Sequence, residues 1–280
     1  MLMSVRVTGV NSQSAANTQH SPFFAIVTVT FNDLPGLRRT WESIALQDCV
    51  DWEWIVVDGG STDGTIDYLA SGYSSWRWVS EKDRGIYDAM NKGVSMNQGQ
   101  YVVFMNAGDL FSSASTLNTV KQALLNSADK IDVLFGGATL VFPQGHTAYR
   151  SPKKIKDYIW HGLPAIHQST FYRSDRLRAV PYDLRYTLCG DYYLAARLYM
   201  QGVKDAYLNI PLSDFFVGGA SYQKRFKLFL EPYQIQRTEL RSKFLLRVIS
   251  MIKRAVSTVG FICINKISKK SFLFRIVGTR

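Results

Sequence analysis

Apolar residues fall in short β-rich runs separated by stretches of helical spacing. The run from Phe23 to Thr30 is continuous, apolar and β-branched, and predicts a buried strand. Asp33 follows as a helix cap, and Leu37, Trp41 and Ile44 give the next segment an apolar face. Trp52 to Val57 predicts a second strand ended by Asp58-Gly59-Gly60, Asp63 to Leu69 a short helix, and Trp76 to Val79 a third strand. Ile86 to Met96 predicts a helix with Ile86, Ala89, Met90, Gly93 and Val94 to one side. Tyr101 to Met105 predicts a fourth strand, ended by Asn106-Ala107-Gly108-Asp109. This alternation predicts an α/β fold with a mostly parallel central sheet flanked by helices. Ligands of such sheets gather at the carboxyl ends of the strands. Asp58, Asp83 and Asp109 all fall there.

The second half is less regular. Leu117 to Leu125 predicts a helix, Val133 to Phe135 and Thr139 to Phe142 strands, and Asp191 to Met200 a helix. These elements are expected to pack on the first sheet as an acceptor-side wall, not to form a separate domain. In the tail, Leu245, Val248, Ile249, Ile252, Val256 and Val259 recur at helical spacing among Arg241, Arg247, Lys253 and Arg254, which predicts C-terminal amphipathic helices with a basic face.

With 280 residues, 46% of them hydrophobic, the chain can bury a full core, which excludes disorder as a whole. Three cysteines exclude a disulfide framework, and no C-x-x-C spacing suggests zinc. The formal charge of +11 invites a polyanion-binding reading until it is located. Residues 224–280 carry 14 Lys and Arg against two acids, a net +12, which leaves 19 basic and 20 acidic residues in 1–223, a net −1. The chain is therefore expected to divide into a disordered leader at 1–22, a near-neutral body at 23–223 and a basic amphipathic tail at 224–280. The longest uncharged apolar stretch after Arg254 is the ten residues from Ala255 to Ile264, below the ~18–20 that span a bilayer. An in-plane helix on an anionic membrane surface fits better, the alternative being a helix packed on the body.

Three segments carry candidate chemistry. The glycine-rich turn Asp58-Gly59-Gly60-Ser61-Thr62-Asp63-Gly64-Thr65 lets backbone approach a ligand, but it has neither the G-x-G-x-x-G nor the G-K-[ST] pattern. Asp109 is either a helix cap or a carboxylate for a hard divalent cation bridging a diphosphate. The segment Ser80-Glu81-Lys82-Asp83-Arg84-Gly85-Ile86-Tyr87-Asp88-Ala89-Met90-Asn91-Lys92-Gly93 gathers acids, bases and an amide at the start of one helix.

In this order, V-V-D-G-G-S-T-D-G-T, S-E-K-D-R-G-I-Y-D-A-M-N-K-G and F-M-N-A-G-D resemble the family 2 glycosyltransferases of GT-A fold, nearest the short bacterial subgroup of colanic-acid and exopolysaccharide type. The resemblance runs from about Phe24 to Ser221. It implies that Thr28, Thr30, Asn32, Asp58, Asp83, Asn91, Lys92 and Asn106 serve the nucleoside diphosphate sugar donor, and that Asp109 holds Mg²⁺ or Mn²⁺. Asn106 and Gly108 stand where many members have Asp, leaving one carboxylate in that turn. Gly190-Asp191 resembles the family's E-D pair, which implies that Asp191 is the catalytic base, with Gly190 in place of the first acid. His167, Gln168 and Arg197 are placed on the acceptor side, and Gly218-Gly219-Ala220-Ser221 resembles a loop that closes over the donor. The implied reaction is inverting, non-processive transfer to a lipid-linked saccharide in surface-polysaccharide biosynthesis. The work place expected for it is cytoplasmic, peripheral on the inner face of the inner membrane. A nucleic-acid-binding protein using the basic tail, or a nucleotidyltransferase, stands as the alternative, although no nucleic-acid-reading motif or triphosphate loop is present, and no nucleic-acid partner is expected.

Overall fold

The computed structural model describes residues 7–9, 21–143, 145–217 and 227–256. In chain order the first half gives β1 (Val7–Gly9), β2 (Phe24–Thr30), α1 (Leu34–Ala45), β3 (Trp52–Asp58), α2 (Thr65–Ala70), β4 (Arg77–Ser80), α3 (Ile86–Met96) and β5 (Tyr101–Phe104). The second half gives β6 (Leu110–Phe111), α4 (Thr116–Leu125), β7 (Val133–Val141), β8 (Thr147–Arg150), α5 (Ile155–Tyr158), a 3-10 turn at His167–Ser169, β9 (Thr170–Arg173) and α6 (Ser174–Ala179). It continues with α7 (Gly190–Met200), β10 (Asp205–Phe216) and α8 (Lys227–Thr238), and a helix at 244–256 is labelled α9.

Among the described residues the strands form one sheet in the order β1-β4-β3-β2-β5-β9-β7-β10-β6, with β8 on β7. The parallel arrangement expected from the sequence holds for β4-β3-β2-β5 and for β10 on β7. Elsewhere β9 pairs antiparallel with both β5 and β7, and β1, β6 and β8 add antiparallel edges, so the whole sheet is mixed. The expected disordered leader is corrected in one part: Val7–Gly9 pairs with Trp78, Val79 and Ser80. The rest of that leader lies outside the described residues.

Alternation along the strands buries both faces of the sheet. Phe24 and Ile26 face one core with Leu37 and Ile44 of α1, where Trp41, Trp54 and Trp76 pack ring on ring. Ala25, Val27 and Val29 face the other core with Ala89, Met90 and Val94 of α3 and with α7. Gly93 lets α3 lie close on β2, because a Cβ there would collide with the Val27 side chain. The described part of the tail packs on the body. Ile235 is fully buried, Gln236 donates to the Trp160 carbonyl at 2.8 Å, and Ser250 of α9 meets the His161 ring at 3.0 Å. No helix among the described residues is long and apolar enough to cross a membrane.

Candidate functional site

A cavity of about 600 Å³ opens at the carboxyl ends of β2, β3 and β4, lined among others by Thr30, Phe31, Gly59, Lys82, Asp83 and Asn106. Its size suits a nucleotide-sized ligand. Val29, Ile86 and Ala89 supply apolar wall, and Phe31, 64% exposed, stands at the strand end with its ring free to pack on a base. The resemblance sets the Thr30-Phe31-Asn32 turn at the edge of the nucleotide pocket without giving Phe31 a role of its own; an aromatic directly after a buried strand is the signal that marks it.

Asp83 is the acid in the cavity wall. Lys92 of α3 bonds its carboxylate, also meets Glu81 at 3.0 Å, and lies 3.7 Å from Asp88. Burial raises the Asp83 pKa and the Lys92 ammonium opposes that rise. Lys92, expected on the donor, thus acts on Asp83 and is not among the cavity-lining residues. Four other side chains expected at the donor make contacts within the fold. Thr28 is fully buried and accepts from Trp54 Nε1 at 2.9 Å within the α1-side core. Asn91 spends both amide atoms on the Tyr182 main chain, donating to its carbonyl and accepting from its N–H, each at 2.9 Å. Asp58 is fully buried and accepts from Gly60 N, Ser61 N and the hydroxyls of Ser61 and Ser80, so it shapes the loop instead of facing a base. Asn32, in the left-handed region at φ 50, accepts from Thr62 N at 2.8 Å and ties that loop to the end of β2. Thr30 and Asn106 line the cavity.

The turn 106–109 is fixed by Thr40 of α1, whose hydroxyl donates to the Asp109 carbonyl and accepts from Gly108 N, both at 2.9 Å. Gly108 sits at φ 93, a conformation that a side chain there would strain. Asp109 is 8% exposed, and burial pushes its carboxyl up to about 7, against the Gln168 amide that donates to it at 2.7 Å. Asn106 Oδ1 is buried without a partner in the same turn. Among the described residues no cation is paired with the Asp109 carboxylate, and this group together with the unsatisfied Asn106 oxygen would suit a hard divalent ion, which takes oxygen ligands. Among the described residues no cluster of three or more His, Cys, Asp or Glu side chains is placed to hold a metal alone.

His167 is buried, stacked on Phe104 at 4.8 Å, and both ring nitrogens lack partners. Burial lowers its pKa to about 4, so the ring is neutral. It lies inside the fold, and Gln168 reaches Asp109, so neither is placed on an open acceptor surface. Arg197 lies six residues beyond Asp191, which turns it to another side of α7, where it meets Glu239 at 3.4 Å; its acceptor-side assignment is corrected. The loop 218–221 lies outside the described residues.

Asp191 stands in the first turn of α7, one residue inside it, and Cys189 occupies the cap position. Its Oδ1 accepts from Tyr192 N at 2.8 Å. Burial raises its pKa to about 6, opposed by backbone N–H groups, by the charge of Arg150 and by the Tyr87 hydroxyl. Solvent still reaches it in part. Tyr87 follows the cavity residue Ile86 on α3, donates to the Leu188 carbonyl at 2.9 Å, and lays its ring against Gly190. A Cβ at Gly190 would come within 2.8 Å of that ring, which accounts for glycine where the family pattern has an acid.

Residues 25–186 match the family model described as Glycosyl transferase family 2. A PGL/p-HBAD biosynthesis glycosyltransferase of Mycobacterium tuberculosis is 32% identical over 179 residues, covering 61% of this chain and 68% of that protein. A putative teichuronic acid biosynthesis glycosyltransferase, TuaG, of Bacillus subtilis is 31% identical over 96 residues, 33% of this chain and 38% of that one. Among solved structures, S. aureus TarS 1–349 in complex with UDP aligns at TM-score 0.62 and 17% identity over 81% of this chain and 68% of that chain. The mannosyltransferase PcManGT from Pyrobaculum calidifontis, in complex with GDP-Man and Mn²⁺, aligns at TM-score 0.62 and 16% identity over 91% and 81%. At these identities the structural likenesses establish the fold, which is GT-A.

Proposed function

Because the chain belongs to glycosyl transferase family 2, we propose that it transfers a sugar from a nucleoside diphosphate sugar to a hydroxyl, with inversion, one sugar per encounter. The observation that carries this reading is a cavity walled by Asp83 at the strand ends, with a carboxylate of raised pKa on the adjoining helix α7. At pH 7 a group of pKa about 6 is about nine-tenths ionised, and partial burial leaves it basic enough to take a proton. Asp191 accepts the acceptor hydroxyl's proton as that oxygen attacks the anomeric carbon. Phe31 packs on the base, and Lys82 brings positive charge toward the diphosphate. Asp109 and Asn106 would hold Mg²⁺ or Mn²⁺, which when bound supplies charge neutralisation to the leaving diphosphate.

The relatives named for PGL/p-HBAD and teichuronic acid biosynthesis support a role in building cell-surface polysaccharide; the acceptor in this reading is a lipid-linked saccharide. Support for a membrane-surface location comes from α9. Its inner side is tied to His161 through Ser250 and Arg254, while Phe244, Leu245, Ile252 and Val256 are exposed beside Lys253. An apolar face rimmed by cations matches an anionic leaflet, on the cytoplasmic side where nucleotide sugars are made. Sedimentation with vesicles should show binding to phosphatidylglycerol-containing membranes that weakens with salt, and equal binding to neutral vesicles would contradict it.

A thermal-shift panel of UDP-, GDP- and dTDP-sugars with and without Mn²⁺ tests the donor assignment. One donor class should raise the melting temperature, more so with the ion. No shift with any of them would contradict the proposal.

A further inference from the structure

We propose that Glu231, from the basic tail, is a positioning residue for Asp191, which makes α8 part of the catalytic unit. Glu231 is 5% exposed and lies more than forty residues beyond the turn that precedes α7. Its Oε1 accepts from Thr187 N at 3.0 Å and from the Thr187 hydroxyl at 2.9 Å. Its Oε2 accepts from Leu188 N and Cys189 N, both at 2.9 Å. One carboxylate therefore collects three successive main-chain N–H groups and a hydroxyl at the positive end of α7, where negative charge is favoured. Cys189 itself supplies no side-chain cap, so Glu231 is the group that fastens this helix start.

The same turn is held from the opposite side by α3. The Tyr87 hydroxyl takes the Leu188 carbonyl at 2.9 Å and the Tyr87 ring backs Gly190. Asp191 is the next residue, and its own carboxyl is oriented by Tyr192 N one position further on. A base must sit within hydrogen-bond reach of the proton it takes, so the clamp on 187–190 decides where that carboxylate points. Glu231 has no need to touch substrate to do this. Its helix is in turn seated by Gln236, which donates to the Trp160 carbonyl and to Ser250 of α9, each at 2.8 Å. The surface proposed to meet the membrane and the clamp on the base thus share one helical unit.

This inference rests on the reading of Asp191 as base, and the experiment separates the two. The probe is release of nucleoside diphosphate from UDP-glucose, UDP-GlcNAc and GDP-mannose, with water in place of the acceptor. Glu231→Gln keeps one acceptor oxygen but turns an N–H toward Leu188 N or Cys189 N. It should lower kcat about tenfold or more with donor KM unchanged. Glu231→Asp, which keeps the charge, should recover part of that loss. Asp191→Asn is measured alongside, and adding Glu231→Gln to it should cost nothing further. Wild-type kcat in Glu231→Gln, with Asp191→Asn inactive, overturns the role of Glu231 alone. So does a loss of kcat that tracks loss of donor binding and of melting temperature, since that marks a purely structural residue. Wild-type turnover by Asp191→Asn overturns the base assignment and this inference with it.

Discussion

Replacing Asp191 by asparagine should stabilise the protein at alkaline pH while removing its activity. The folded state holds the Asp191 proton more tightly than the unfolded chain, because burial lifts the carboxyl from its ordinary value of 3.8 to about 6. Between those two values the folded state binds more protons, so the stability contribution of this group falls as pH rises and is fully lost above about pH 6. Two units correspond to about 3 kcal/mol, which solvent access at Asp191 reduces to about 2 kcal/mol. Asparagine carries no charge to desolvate and keeps an oxygen for the bond from Tyr192 N. Urea unfolding of the metal-free protein should therefore show Asp191→Asn more stable than wild type at pH 8, with the difference shrinking as pH falls through 6 and vanishing below about 3.8. Equal or lower stability of the variant at pH 8 would refute the claim that this carboxylate is held at a cost.

The same pKa predicts that kcat/KM falls about tenfold per pH unit below 6, and a flat profile between pH 5 and 7 would show that another group carries the acid limb. Phe31→Ala should weaken donor binding by about 1–3 kcal/mol in calorimetry without lowering the melting temperature, since the ring is 64% exposed. Asn91→Ala should do the reverse, losing about 2 kcal/mol of stability with the two Tyr182 bonds and leaving donor affinity intact.

The half of the molecule from β2 to β5 was legible because its strands are short, largely apolar runs and α1 and α3 each show one apolar side. The helix expected at Ile86 to Met96 has those bounds in the structure. Legibility fades where pairing is set by distant contacts. Two strands were expected around Gly136-Gly137, yet β7 runs unbroken through them, because the Leu212 and Tyr149 side chains occupy the space that a Cβ would take. Nothing in the local pattern tells that β9 enters between β5 and β7 in antiparallel sense.

The site was legible by position more than by role. Asp83, Asn106, Asp109 and Asp191 stand at strand or helix ends, which the pattern marks. Whether a side chain faces a ligand or the fold depends on its partners. Asp58 accepts bonds from Gly60, Ser61 and Ser80, and Lys92 donates its ammonium N–H groups to neighbouring acids, none of which spacing alone discloses. Arg197 could have been set aside from helical phase. Glu231 could not have been found that way, since its bonds to 187–189 bridge the chain from a segment set apart by its charge.

Asp191 as the base of a glycosyl transfer is tested most directly by single-turnover kinetics of Asp191→Asn measured alongside its donor affinity. The variant should keep wild-type donor affinity with transfer slowed by about a thousandfold or more. Turnover within a few fold of wild type at unchanged donor affinity would contradict it.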